Sequence, residues 1–143
     1  MSIYKNILAT IDFGDNSAKV LQHAATLAQQ FNANLIIMHV VDYAPSPDID
    51  NVIAPVDETA NKLMSSAKNQ LNELLEGATL SNGSRTVVVT GHPKIEIVRV
   101  AENENADLIV IGAHGKLGLV GLLLGSTVDR VLGQASCNVL VVH

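Results

Sequence analysis

Residues 112–126 read GAHGKLGLVGLLLGS, with glycine at Gly112, Gly115, Gly118, Gly121 and Gly125. Glycine weakens helices and strands, but it admits positive φ and leaves space for a close neighbour. A glycine-rich turn can point successive N–H groups at one anion. Ser126 opens a helical pattern, and a helix start adds unpaired N–H groups and partial positive charge. Together Gly112, Gly115, Gly125 and Ser126 can form a phosphate cradle from backbone alone. As a bland alternative, glycine after a strand is ordinary turn chemistry, and Ser126 with Asp129 approximates a capping box.

Other chemistry-bearing residues are sparse. Asp12 ends an apolar run, where it can meet a ligand or cap the following turn. His114 lies inside the glycine loop and reads equally well as a solvent-facing residue. His39, between Met38 and Val40, reads as a partly buried strand residue, and His92 before Pro93 as a helix-start residue. No two histidines have zinc spacing on one face. The P-loop pattern G-x₄-G-K-[ST] is absent, and no Ser–His–Asp set falls at strand ends. Cys137 is the only cysteine. It excludes an intramolecular disulfide and, in its apolar context, reads as a buried inert thiol.

These residues need a scaffold, and the apolar pattern supplies one. Strands are predicted over Ile3–Asp12, Leu35–Val41, Arg85–Thr90, Asp107–Ile111 and Asn138–Val142. Their near-continuous apolar runs suit a parallel sheet covered on both faces. Helical spacing is predicted over Asp15–Gln30, about 57–76, from Pro93 onward with Ile95, Val98 and Ala101 facing inward, and over Ser126–Gln134. Asp57 is the expected N-cap of the second helix. Residues 42–56 carry three prolines and read as a long loop. The Gly118–Leu124 run is expected to pack on the sheet or on a partner subunit. The result is βαβαβαβαβ: one α/β domain over 1–143, doubly wound, with five parallel strands and helices on both faces. Strand order 3-2-1-4-5, the commonest two-way winding, puts Asp12 beside Gly112 where ligands bind in open sheets.

Totals bound the remaining possibilities. The 143 residues carry a net charge of −5, with 48% hydrophobic and 16% charged residues. That suits one globular domain and argues against a general nucleic-acid surface. No apolar run approaches the roughly 20 residues that span a bilayer. The opening MSIYKNILATID lacks a signal peptide's apolar core, so a cytoplasmic protein free of the membrane is expected.

The spacing G-x-x-G-x₉-G-[ST] on the fourth crossover resembles the nucleotide motif of the ATP-binding branch of the universal stress protein family. YKNILATID, ANLIIMHVVD, GHPKIEIVRVAENENADLIVIGAHG and LLLGSTVDRVLGQASCNVLVV extend the resemblance along the whole chain. It implies order 3-2-1-4-5 and a homodimer pairing its fifth strands, which suits the apolar NVLVV edge. It implies ATP with Mg²⁺ or Mn²⁺ as ligand. Asp12 would meet the ribose or the metal-bound phosphates, and is the only protein group it brings near a metal. Val40 would meet adenine through its backbone, with Thr10 and Ile11 lining that pocket. Gly112, Gly115, Gly125, Ser126 and the Thr127 amide would hold ribose and phosphates. Two positions depart from the family's pattern. Gly121 stands where many members carry Lys or Arg, and Asn138 where Pro is usual; Lys116 is the candidate to restore the loop's charge. The reading is therefore a dimeric stress-response module binding an adenine nucleotide, with slow turnover at best. The alternatives are a slow nucleotide-hydrolysing enzyme and a nucleotide-free dimeric adaptor.

Overall fold

A computed structural model describes residues 2–43, 56–80, 83–113, 117–118, 121–122 and 124–143. The chain runs β1 (Asn6–Thr10), α1 (Ser17–Phe31), β2 (Asn34–Val41), α2 (Val56–Glu76), β3 (Ser84–Thr90), α3 (Pro93–Asn103) and β4 (Leu108–Gly112). It continues through β5 (Leu117–Gly118), β6 (Gly121–Leu122), α4 (Ser126–Gln134) and β7 (Asn138–Val142). The main sheet is five-stranded, in order β3-β2-β1-β4-β7, and its strand pairs are parallel. This is the expected 3-2-1-4-5 winding. The glycine-rich stretch departs from a plain loop: β5 and β6 pair antiparallel, Leu117 opposite Leu122.

Alternation along the buried strands sorts side chains onto two faces. Ile7, Ala9, Leu35, Ile37, Leu108 and Val110 join Val20, Leu21, Ala24 and Ala28 of α1 and Leu71 of α2 in one core. Leu8, Ile36, Met38, Ile109 and Ile111 turn the other way, against Ile97 and Val100 of α3 and Val128 and Val131 of α4. The central strands are apolar at nearly every position because each face meets a helix layer. Burying one such side chain contributes about 1.5–3 kcal/mol.

Several boundaries differ from expectation. The first strand spans Asn6–Thr10 and not Ile3–Asp12. Pairing with β2 starts at Asn6 opposite Asn34, which leaves Ile3 outside the sheet and 71% exposed. On α3 the inward face is Ile97, Val100 and Ala101. Ile95, expected inside, is 53% exposed and lines a cavity at the start of α3 instead of the core. Leu63 of α2 is likewise exposed. α2 spans Val56–Glu76, and the expected cap of its start by the Asp57 side chain lies outside what is described. Cys137 is half-buried, not fully buried. Partial burial pushes its thiol pKa above the ordinary range, the Asp107 charge adds to that, and a backbone hydrogen bond draws it partly back.

The amino edge of the sheet is sewn shut. The Lys5 and Asn6 amides donate to Asp107 Oδ2 at 2.7 and 2.9 Å. The Asn6 side chain donates to the Asn105 carbonyl at 3.2 Å and accepts from Asn34 Nδ2 at 3.0 Å. Asn32 and Asn105 sit at φ 52° and 54°, the left-handed region that asparagine tolerates. Each ends a helix and turns the chain into the next strand.

Candidate functional site at the carboxyl edge

At the other end of the strands the sheet opens into a cavity of about 620 Å³. That volume lies within the ~300–1,000 Å³ usual for small-molecule sites. Thr10, Ile11 and Asp12 line it from the end of β1, Met38, His39 and Val40 from β2, and Ile111, Gly112 and Ala113 from β4. Asp15 and Asn16 approach from the start of α1, Pro93 and Ile97 from α3, and Thr127 and Val128 from α4. It lies where β1 separates β2 from β4, the point at which the winding reverses.

The turn after β1 is tightly specified. Phe13 sits at φ 63°, a conformation that costs a bulky residue on the order of 1–3 kcal/mol and persists only when its surroundings enforce it. Those surroundings are visible. The Phe13 ring lies 4.3 Å from the His39 ring, centroid to centroid. His39 Nδ1 stands 2.6 Å from the Ile11 carbonyl oxygen. A carbonyl only accepts, so Nδ1 carries the proton and donates. Asp12 Oδ1 accepts from the Gly14 amide at 2.8 Å and from Ser17 Oγ at 3.1 Å. The carboxylate is thus held at the crevice mouth by the start of α1, so its capping and site positions coincide.

Gly112 ends β4 opposite Val142. A Cβ there would stand 3.2 Å from Val20 Cγ2 and 3.5 Å from Asn16 Nδ2. The role of this glycine is space, since α1 passes directly over it. Gly125 is extended, at φ −66° and ψ 160°, and precedes α4 as its N-cap. Neither Gly112 nor Gly125 adopts a left-handed backbone, so the expectation of positive φ does not hold at these two. The Ser126–Asp129 capping box is also not formed: Gly125 is the N-cap, and no side chain caps the helix. Asn16 Nδ2 donates to the Val142 carbonyl at 2.7 Å, tying the start of α1 to the end of β7.

Of the residues singled out in the sequence, Thr10, Ile11, Asp12, Val40, Gly112 and Thr127 share this cavity. Ser126 lies on a neighbouring cavity of about 380 Å³, which shares Pro93 and Thr127 with the first. Gly125 adjoins that wall as the N-cap of α4. Gly115, Lys116 and His114 lie outside the described residues. Sequence reasoning missed Asn16, Pro93 and Ile97 as wall residues. The only available signal was their place at helix starts facing the carboxyl edge. It also missed the brace that His39 makes.

Among the described residues no group of three His, Cys, Asp or Glu side chains can hold a metal ion. Among the same residues no helix is long and apolar enough to cross a membrane.

The universal stress protein family model matches residues 3–143. The chain is 35% identical over 140 residues to universal stress protein A homolog 1 of Coxiella burnetii, covering 97% of this chain and 96% of that one. Among solved structures it resembles the universal stress protein UspA from Lactobacillus plantarum, with a TM-score of 0.79, 30% identity and 98% of each chain covered. A universal stress protein crystallised in complex with cAMP matches at a TM-score of 0.64 and 25% identity, over 100% of this chain and 98% of that one.

Proposed function

The chain belongs to the universal stress protein family, and from that premise we propose that it binds an adenine nucleotide, ATP with Mg²⁺ or Mn²⁺, in the carboxyl-edge crevice. The observation that carries this reading is the meeting of Thr10, Ile11, Asp12, Val40, Gly112 and Thr127 on one nucleotide-sized cavity. In this reading adenine lies between Thr10 and Ile11 and meets the Val40 backbone. Asp12 meets the ribose or a cation borne by the phosphates. The backbone at Gly112, Gly115, Gly125, Ser126 and Thr127 meets ribose and phosphates, with Lys116 supplying loop charge. The likeness to a cAMP-bound family member supports an adenine-type ligand.

The protein acts in this proposal as a dimeric, cytoplasmic stress-response module and not as a catalyst. What supports pairing is that β7 is an outer strand of the sheet, with Val139, Leu140 and Val141 only half-buried. A binding role is favoured because rapid phosphoryl transfer asks for side chains that orient water and offset developing charge, and the crevice walls carry few.

Calorimetry with Mg-ATP tests the proposal. Binding with a micromolar dissociation constant is expected, with phosphate release well below the ~1–100 s⁻¹ typical of kinases. No heat of binding at millimolar nucleotide would leave the adaptor reading, and release in the kinase range would make the protein an enzyme.

A further inference from the structure

The smaller cavity beside the crevice has a chemistry of its own. It is walled by Asp42 after β2, by His92 and Lys94 at the start of α3, and by Thr127 and Arg130 of α4. Lys94 and Arg130 come from two different helices and meet on one concave wall. Three other cations of this acidic chain are engaged: Arg85 pairs with Glu104, Arg99 with Glu96, and Lys19 donates to the His143 carbonyl. What sets Lys94 and Arg130 apart from the remaining described lysines is that they share one concavity. Among the described residues Lys94 and Arg130 have no ion-pair partner. The one carboxylate on the wall, Asp42, stands 3.7 Å from His92 Nδ1 and so already faces a basic ring. Among the described residues of this wall, two fixed positive charges thus face a single carboxylate, in a protein of net charge −5. A local inversion of charge inside a concavity concentrates anions there.

We propose that this cavity is an anion subsite for a phosphate-bearing group, with Lys94 and Arg130 as its charged contacts. The inference rests on and deepens the nucleotide reading, which already gives Ser126 and Thr127 of this wall to ribose and phosphates; what it adds is Lys94 and Arg130. Pro93 and Thr127 belong to both cavities. One ligand can therefore place a nucleoside in the larger cavity and a phosphoryl group in the smaller. Charge that the glycine loop lacks at Gly121 is supplied here from α3 and α4. The same subsite accepts the tail of a bound nucleotide or a separate phosphate-bearing molecule, and the two are separable.

The test titrates inorganic tripolyphosphate and adenosine separately into wild type and Lys94→Gln/Arg130→Gln. Both side chains are exposed, so the double variant is expected to keep its melting temperature. Exposed ion pairs change affinity only modestly each, so a loss of roughly five- to tenfold in tripolyphosphate affinity is expected for the pair. Adenosine affinity should be unchanged, and Arg130→Lys should retain most of the anion binding. Competition by ATP would identify the nucleotide's own tail as occupant; tripolyphosphate binding to ATP-loaded protein would identify a separate molecule. Tripolyphosphate that fails to bind wild type, or binds the double variant equally well, overturns the subsite. Failure of adenosine to bind, with tripolyphosphate retained and Lys94/Arg130-dependent, would instead remove the crevice reading and leave the subsite standing.

Discussion

The two ends of the sheet are built from the same strands and treated in opposite ways. At the amino edge, Asp107, Asn6 and Asn34 answer one another and the backbone, and the chain passes between strands through short asparagine turns. At the carboxyl edge the strands stop against a cavity, and the turn from β1 to α1 lines it. Polar groups at the first end are consumed by the fold. At the second, backbone and side chains are held in place yet kept available to a ligand. Buried polar groups must find partners, so an end that keeps an open cavity must remain wet or be filled. In the proposed reading, the difference gives stability to one edge and binding to the other.

That division can be broken by mutation. Asp107→Ala removes the acceptor of two backbone amides. It is expected to cost about 2–3 kcal/mol in urea unfolding while leaving Mg-ATP affinity within about twofold. A stable variant, or one that loses nucleotide, would show that the edges are not separate in function. His39→Ala sharpens the comparison from the other side. Losing the bond to Ile11 and the contact with Phe13 should cost about 1–2 kcal/mol and also weaken Mg-ATP binding, because the strained turn at Phe13 carries Asp12. Unchanged affinity in a folded His39→Ala protein would mean that the brace serves packing alone.

The smallest effect concerns Cys137, near the amino edge, whose thiol pKa is raised by burial and by Asp107. A raised thiol pKa favours the protonated form in the folded state. At neutral pH both states are protonated and nothing is gained. Above the ordinary thiol range the unfolded chain ionises first, so stability falls as pH rises toward the folded value. Cys137→Ala should flatten that alkaline decline, and an identical slope in the variant would contradict the assignment.

Much of this contrast was legible in the sequence, at the level where periodicity and breakers speak. Apolar runs such as DLIVI and NVLVV marked strands, the first buried and the second at the sheet's edge, and Pro93 marked the start of α3. The strand order was an assumption that the observed pairing bears out. It brought Asp12 and Gly112 onto one cavity. What escaped were facts of three-dimensional approach. Ile95 has helical spacing with Val98 and Ala101, yet the buried face of α3 is Ile97, Val100 and Ala101 and Ile95 is exposed. Glycine at 112 was read as giving both conformational freedom and space, though not which neighbours would need it; Val20 and Asn16 show that space is what it gives. The pairing of His39 with the Ile11 carbonyl spans 28 residues and depends on a left-handed phenylalanine, which no local pattern announces. Lys94 and Arg130 lie on different helices, so only the folded chain reveals them as neighbours.

The central claim is most directly tested by following backbone amides by NMR as Mg-ATP is added to labelled protein. The account predicts shifts at Asp12, Val40, Gly112 and Thr127, with Asn6, Asn34 and Asp107 unmoved. Shifts spread equally over both edges, or confined to the amino edge, would contradict it.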